Sequence, residues 1–424
     1  MIRILKYGEV ESSDLFSRAV PSVNVEEIVS DIIKTVRRDG DTALLRYTEQ
    51  FDGAKLSSLV VSKEEIQEAL EQTNPEFLTI LEKAAANIRR FHEMQKRSGF
   101  RLDGENGVIL GQKVTPVDRA GLYIPGGTAA YPSTVLMNAI PAKIAGCEEV
   151  VMVTPPTKEG KVNPAILAAA HIAKVDRIFK VGGAQAVAAL AYGTQTIPKV
   201  DKIVGPGNAF VAEAKKQVFG AVSIDMIAGP SEILIVSDGK SDPAHIAADL
   251  LSQAEHDKLA SAILITDSMD LARAVREELE KQIPLLEREG IARASIDENG
   301  KIIVAPNLEV AISLANEIAP EHLELCVDDP FRYLEAIRHA GSIFLGRNCP
   351  EALGDYFAGP NHTLPTSGTA KFSSPLSVDD FVKKSQYIYY TPEALANVAE
   401  DVAAFAQKEG LTAHAKSAVI RTRR

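Results

Sequence analysis

The chain has 424 residues, 46% of them hydrophobic, and a formal net charge of −11, which allows two or three domains with large cores. The acidic excess argues against nonspecific nucleic-acid binding, because phosphate contacts need a basic surface. The N-terminus, MIRILKYGEV, lacks the apolar core of a secretory signal peptide, and no run approaches the roughly 20 apolar residues of a membrane span. The three scattered cysteines suit a reducing compartment. We therefore expect a cytoplasmic protein without a membrane partner.

The first hundred residues are predicted to be mainly helical. Asn24 and Glu27 have the spacing of a capping box, and Ser62 and Glu65 repeat it before a second helix. A third helical pattern, ILEKAAANIRRFHEMQK, contains His92, which we expect to be half-exposed.

From about residue 113 the pattern changes to α/β. Short β-branched runs end in Gly, Pro or Asp turns, and most are followed by helical patterns, which predicts parallel sheets with crossover helices. The first series of strands is EVVMVTPP, RIFKVGG, KIVGPGN and EILIVSD, and the second is SAILITD, KIIVAP and GSIFLG. A helix over 243–258 joins the two series.

Residues 348–376 form a long segment rich in Gly, Pro, Ser and Thr. Its length and its Asp355 and His362 favour a functional loop over a plain connection, although loop Asp and His residues are commonly turn-forming or solvated. The last fifty residues are predicted to form a strand and then a helix that projects from the main body.

Three glycine-rich turns join predicted strands to helices: GLYIPGG, Gly182-Gly183 and Gly205-Pro206-Gly207. Such turns direct backbone N–H groups toward an anion. None matches the phosphate loop of ATP-binding proteins or the usual dinucleotide fingerprint, and each alone is more typical of a structural turn than of a ligand site. Together they favour a nucleotide site at the carboxyl edge of a sheet.

Gln253 and His256 lie three residues apart on the 243–258 helix, so their side chains can converge from one helical face. Two polar groups on the inward side need partners. The partner could be a metal ion or ordinary hydrogen-bonding groups, and the spacing does not decide between them.

Glu321 and His322 follow Pro320, which predicts that both lie at a helix N-terminus. There they could serve two proton transfers at different points of one substrate. Alternatively, the Glu321 carboxylate only interacts favourably with the helix dipole, and His322 has no functional role.

Several blocks closely resemble the histidinol dehydrogenase family, in order from about residue 24 to 417. They are GLYIPGG, GGAQAVAALAYGT, VGPGNAFVAEAKKQVFG, IDMIAGPSEILI, LLSQAEHD, NEIAPEHLEL, GDYFAGPNHTLPTSGTA and KEGLTAHAKSA. The resemblance implies an enzyme that oxidises L-histidinol to L-histidine in two NAD-dependent steps, at the end of histidine biosynthesis. It also implies a homodimer whose C-terminal tail completes the neighbouring site.

The resemblance further implies roles for individual residues. One zinc ion would be bound by Gln253, His256, Asp355 and His414, and the acid–base pair would be Glu321 and His322. Substrate contacts would come from Ser231, His322, His362 and Glu409 together with the metal ligands, and NAD contacts from Tyr123, Gln185 and Asn208. We expect His322 to take the alcohol proton in both oxidations and Glu321 to activate the water that hydrates the aldehyde.

The expected fold is α/β, with two Rossmann-like three-layer domains of the aldehyde-dehydrogenase type. The predicted division is a segment over 1–22, a discontinuous domain over 23–122 and 233–375 with the metal and acid–base residues, an inserted NAD-binding domain over 123–232, and a tail over 376–424. Two other functions compete with a dehydrogenase. A zinc hydrolase would need no dinucleotide, and a noncatalytic small-molecule binding protein would leave the acid–base pair idle.

Overall fold

The computed structural model describes residues 1–18, 24–126 and 131–422. Gly127 of the GLYIPGG turn therefore lies outside the described residues. The strands in chain order are β1 (Arg3–Lys6), β2 (Phe100–Asp103), β3 (Ile109–Pro116), β4 (Arg119–Tyr123), β5 (Glu149–Thr154), β6 (Arg177–Lys180), β7 (Lys202–Val204), β8 (Ser223–Ile224), β9 (Glu232–Ser237), β10 (Ser261–Thr266), β11 (Lys301–Val304), β12 (His322–Cys326), β13 (Ser342–Leu345) and β14 (Val382–Tyr389).

The α-helices complete the architecture. In chain order they are α1 (Ser12–Phe16), α2 (Glu26–Asp39), α3 (Asp41–Asp52), α4 (Lys63–Gln72), α5 (Pro75–Glu93), α6 (Pro132–Ala145), α7 (Pro164–Ile172), α8 (Gly183–Tyr192), α9 (Ala209–Val218), α10 (Pro243–Ala254), α11 (Met269–Gln282), α12 (Glu289–Glu298), α13 (Leu308–Ile318), α14 (Phe331–Leu334), α15 (Glu351–Tyr356), α16 (Pro392–Lys408) and α17 (Thr412–Val419). Among the described residues, no helix is long and apolar enough to cross a membrane.

The chain divides into two compact units. The first comprises residues 1–95 and 118–381, and the second comprises 96–117 and 382–424. Both parallel sheets belong to the first unit, and the antiparallel sheet β14-β3-β2 belongs to the second. The sequence-derived domain bounds stay a prediction.

A five-stranded parallel sheet in the first unit has the order β6-β5-β4-β7-β8. Valines of β5 pack with α2, α8 and α9 on one face, and α6 covers β4 and β5 on the other. The chain moves outward from β4 through β5 to β6 and then crosses back to β7. The order therefore reverses between β4 and β7, where open α/β sheets bind ligands.

The second parallel sheet of this unit has the order β1-β11-β10-β9-β12-β13. Its central strands are buried on both faces, as expected for a parallel sheet between helices. Ile233 and Ile235 of β9 pack with α10, α11 and α12. Leu234 and Val236 of the same strand point to the other face and pack with α13. The two three-layer parallel sheets confirm the predicted α/β fold class.

Three local predictions in the helical N-terminal region have different outcomes. The capping box of Ser62 and Glu65 is present. The one at Asn24 and Glu27 is wrong, because α2 starts one residue later and Asn24 accepts a hydrogen bond from the Glu26 N–H instead. His92 is fully buried rather than half-exposed. Its Nδ1 lies 2.7 Å from Gln95 Oε1, and burial lowers its pKa.

Candidate active site

A pocket of about 270 Å³ opens between the two parallel sheets of the first unit. Pro125, after β4, and the turn from Gly205 to Asn208, after β7, line it from the carboxyl edge of the five-stranded sheet. Ser231, Glu321 and His322 line it from the amino ends of β9 and β12. The pocket therefore lies between the carboxyl ends of β4 and β7, at the switch point of the five-stranded sheet, and the amino ends of β9 and β12 in the six-stranded sheet.

All of the predicted metal, substrate and acid–base residues of the first unit line this pocket. They are Ser231, Gln253, His256, Glu321, His322, Asp355 and His362. The predicted residues Glu409 and His414 belong to the second unit, where Glu409 follows the last turn of α16 and His414 lies on α17. Both are exposed.

Gln253 and His256 lie at the end of α10. The helix ends at Ala254, so His256 is in the turn after it rather than on the helix, and its N–H donates to the Gln253 carbonyl at 3.1 Å. Gln253 is buried, and its Nε2 has no hydrogen-bond partner among the described residues. Burial lowers the pKa of His256, which favours the neutral imidazole that metal ligation needs.

The prediction of a helix N-terminus at Glu321 and His322 is wrong. Helix α13 stops at Ile318 because Ala319 takes a left-handed conformation (φ 51°). After Pro320, His322 begins strand β12, which is paired on both sides, with β9 and β13. The run HLELC is short and buried throughout, and such a run does not distinguish a strand from a buried helix by periodicity.

The backbone of Glu232 holds both members of the acid–base pair. Its N–H donates to Glu321 Oε2 at 2.9 Å, and its carbonyl oxygen lies 2.9 Å from His322 Nδ1. Since a carbonyl only accepts, Nδ1 carries a proton. His322 Nε2 is thereby left as the reactive nitrogen.

Three carboxylates surround the His322 imidazole. Nε2 lies 3.6 Å from Asp355 Oδ1 and 3.7 Å from Glu351 Oε1, and Nδ1 lies 3.7 Å from Glu321 Oε2. Burial by itself would lower the pKa of His322, but these negative charges outweigh it and raise the pKa to about 10. Burial raises the pKa of Glu321 to about 8.

Asp355 lies on α15 and not on an irregular loop, which corrects the prediction for this segment. Burial opposes its ionisation, but His322 and His362 hold its pKa below the usual range. The Nδ1 of His362 lies 3.0 Å from the Asp355 carbonyl oxygen, so it donates there.

Sequence reasoning missed Glu351, four residues before Asp355 on the same helix. Its Oε2 accepts from Ser252 Oγ at 2.9 Å, whereas Oε1 and His322 Nε2 are buried without hydrogen-bond partners in the part of the chain that the structure describes. His322, Glu351 and Asp355 offer ligand atoms within 4.8 Å of one another. The spacing of Glu351 and Asp355 would have been a signal only if a helix had been predicted there.

These features fit a divalent cation. Asp355 supplies an ionised carboxylate, His256 a neutral imidazole and Gln253 an amide oxygen, and next to Asp355 the Oε1 of Glu351 is buried without a protein partner among the described residues. Buried polar atoms without partners are costly and call for an explanation. A metal ion bound by neighbouring oxygen and nitrogen atoms would provide one.

The turn after β7 is built for close backbone approach. Gly205 has φ +115°, and a Cβ there would lie 2.1 Å from the Tyr123 carbonyl oxygen. The N–H of Gly205 donates to Asp225 Oδ2 at 2.7 Å, and its carbonyl accepts from Lys215 Nζ at 3.0 Å. Lys215 and Asp225 form a buried ion pair, so the turn is fixed at the switch point of the sheet.

The three predicted NAD contacts lie in different surroundings. Asn208 caps α9 and lines the pocket. Tyr123 and Gln185 are only 4% and 1% exposed, and the Tyr123 hydroxyl accepts from the Gly183 N–H at 3.0 Å. In the described part of the first unit, neither of these two side chains lines the pocket.

Comparison with known proteins identifies the family. A family model for histidinol dehydrogenase matches residues 17–422. Histidinol dehydrogenases from Syntrophotalea carbinolica and Clostridium acetobutylicum are 56% and 52% identical over 428 and 426 residues, and each alignment covers 99% of both chains. The crystal structure of histidinol dehydrogenase from Elizabethkingia anophelis has a TM-score of 0.94 and 38% identity, covering 99% of this chain and 98% of that one. The chain therefore belongs to the histidinol dehydrogenase family, NAD-dependent dehydrogenases that act on a small molecule in the last step of histidine biosynthesis.

Proposed function

We propose that this chain oxidises L-histidinol to L-histidine through L-histidinaldehyde, using two NAD⁺ and one zinc ion per subunit. The observation that carries the proposal is the single pocket in which a buried Glu-His pair meets the switch point of a parallel sheet. A hydride acceptor bound at that edge would lie beside the groups that handle protons. A zinc hydrolase would have no use for a dinucleotide turn after β7, and a noncatalytic binding protein would leave the acid–base pair idle.

Gln253, His256 and Asp355 would hold the zinc ion, with His414 of the partner subunit as the fourth ligand. When bound, the ion would supply positive charge that orients the polar groups of the substrate and offsets the surrounding carboxylates. Ser231 and His362 line the same pocket and would contact the substrate, as would the exposed Glu409 of the partner subunit.

His322 would accept the alcohol proton as each hydride leaves, which requires a neutral ring. The charge of a bound zinc ion would offset the carboxylates that raise the pKa of His322 and would favour this neutral form. Its Nδ1 is committed to the Glu232 carbonyl, so Nε2 is the accepting atom. The resulting imidazolium would be stabilised by Asp355 and Glu351, whose oxygens lie 3.6 and 3.7 Å from Nε2. Charge-assisted contacts of this kind favour the protonated ring.

Glu321 would activate the water that hydrates the aldehyde. Its Oε2 accepts a hydrogen bond from the Glu232 N–H, which leaves Oε1 as the oxygen that would take the proton from water. A pKa of about 8 lies close to the working pH of a general base. The second oxidation then removes hydride from the hydrated aldehyde, again with His322 as the proton acceptor.

A homodimer with exchanged tails would bring His414 and Glu409 to the partner's site. Supporting this proposal, the second unit exposes large apolar side chains on β14 and α16, including Ile388 (72% exposed) and Phe405 (71%). Apolar groups of this size favour burial at an interface.

The direct test is the yield of NADH per histidinol, measured by absorbance with and without a chelator. Two NADH per histidinol, lost on chelation and restored by zinc, is the expected result. One NADH per histidinol would contradict the four-electron reaction, and full activity after removal of the metal would contradict the zinc site.

A further inference from the structure

Glu232 is a buried carboxylate at the first position of the central strand β9. Burial raises its pKa, and Arg18 acts against that rise. Arg18 Nε lies 2.9 Å from Glu232 Oε1, its Nη2 lies 3.4 Å from Oε2, and the Ser367 N–H donates to Oε1 at 3.2 Å. A buried charge persists only when it is paired and hydrogen-bonded, so the carboxylate depends on Arg18.

The main chain of the same residue carries the catalytic pair. Glu232 donates its N–H to Glu321 and accepts from His322, both at 2.9 Å. The orientation of both groups is therefore only as well fixed as the backbone of Glu232. Its side chain anchors that backbone to Arg18.

Arg18 also contacts two other segments that border the site. Its Nη2 donates to the Ile318 carbonyl at 2.5 Å, at the end of α13 and three residues before Glu321. Its guanidinium packs against Gly368 (φ +77°), where a Cβ would collide with Nη1. One side chain thus joins the start of β9, the end of α13 and the loop after residue 366.

The chain leading to Arg18 is firmly held. Strand β1 pairs with β11, and Leu15 is buried in the core beneath α13. The buried Lys301 ammonium donates to the Ser17 carbonyl at 2.6 Å and to the Leu15 carbonyl at 3.3 Å. Arg18 is therefore presented to Glu232 by a fixed support.

We propose that Arg18 is a positioning residue for catalysis, which acts through Glu232 to hold Glu321 and His322 in their reactive orientation. The inference rests on the proposed roles of those two residues. Misplacement of a reacting group by about 1 Å can cost about 100-fold in rate. The loss should appear in kcat, since Arg18 does not line the substrate pocket among the described residues.

The test compares Arg18→Gln, Arg18→Lys and the double variant Arg18→Gln/Glu232→Gln in the zinc-loaded enzyme. We expect Arg18→Gln to lower kcat about 10- to 100-fold with KM for histidinol within about twofold of the original. Arg18→Lys, which keeps the charge, should retain more of kcat. The double variant should have a higher kcat than Arg18→Gln, because it no longer buries an unpaired carboxylate. If Arg18→Gln yields no folded protein, the lysine variant carries the comparison.

Arg293→Gln is a matched control. Its side chain is 30% exposed, against 29% for Arg18, and it binds Glu280 at 2.8 Å between α11 and α12. A kcat unchanged in Arg18→Gln, or lowered equally in Arg293→Gln, would overturn the inference. If Glu321→Gln and His322→Asn lose activity while Arg18→Gln keeps it, only the positioning role is wrong. If both of those variants remain active, the proposed acid–base roles are wrong and the inference is overturned with them.

Discussion

Replacing Glu321 by Gln should separate the two oxidations. Gln keeps the size of the side chain and can still accept from the Glu232 N–H, but it cannot act as a base. With a pKa of about 8, roughly a tenth of the molecules carry the Glu321 carboxylate at pH 7 and about half at pH 8. Aldehyde oxidation should therefore rise as the pH increases through about 8 and level off above it, and the variant should lose this rise.

The expected loss in aldehyde oxidation is about 10²- to 10⁴-fold, or about 2.7–5.4 kcal/mol in the barrier. Oxidation of histidinol to the aldehyde should change little. NADH formation from histidinol and from supplied histidinaldehyde would be followed separately in single-turnover measurements. His322→Asn is the control, since it should slow both steps. Equal losses of both steps in Glu321→Gln would refute the division of roles.

The same substitution has a consequence for stability in chelated protein. The folded state keeps the Glu321 proton up to a pH of about 8, whereas the unfolded chain releases it near the ordinary glutamate pKa of 4.5. The contribution of the protonated Glu321 to the free energy of unfolding is fully present below pH about 4.5 and is lost as pH rises through about 8. Between pH 5 and 8, Glu321→Gln should gain up to about 3 kcal/mol relative to the original chain, as measured by urea denaturation. A constant difference between the two proteins would contradict the raised pKa.

Three other measurements test separate parts of the site. Zinc binding to chelated protein at pH 8 should release about one proton from His322, as measured by calorimetry in buffers of different ionisation enthalpy, and His322→Asn should release less. In a reassociated equimolar mixture of Glu321→Gln and His414→Asn subunits, about half of the dimers are mixed and, if tails are exchanged, each of these has one intact site of two, so about a quarter of the histidine-forming activity should be recovered. None should be recovered if each site is built from one chain. Gly205→Ala should lower the free energy of unfolding by at least about 1–2 kcal/mol, because φ is +115° and a Cβ would collide with the Tyr123 carbonyl. An unchanged thermal midpoint would contradict this interpretation of the turn.

The strand and helix pattern of the two parallel sheets could be predicted because each element carries a strong local signal. Strands such as EILIVSD are continuous β-branched runs with a turn residue at the end, and α10 begins with Asp242 as its cap and Pro243 in its first turn. Strand β12 could not be predicted from Pro320, because proline is common both in the first turn of a helix and just after the end of one. Here Pro320 follows α13 and does not begin a new helix. The left-handed Ala319 that ends α13 has no signature in its residue type.

The candidate site was only partly accessible from sequence. Glu321 and His322 were proposed from their residue types, but their roles came from family resemblance. Glu351 was missed because its importance depends on the burial of α15 against His322. Arg18 and Glu232 are 214 residues apart, and only the tertiary fold brings them together.

The pocket is bordered by the carboxyl ends of the strands in one sheet and by the amino ends of the strands in the other, so its two sides are supported by different hydrophobic cores. The turn after β7 rests on the hydrophobic core around α8 and α9, whereas the acid–base strand rests on the cores around α10 and α13. Substitutions in cores that do not share contacts usually have additive effects on the free energy of unfolding. Stabilising substitutions found separately in the core around α8 and α9 and in the cores around α10 and α13 can therefore be combined with the sum of their individual effects on the free energy of unfolding.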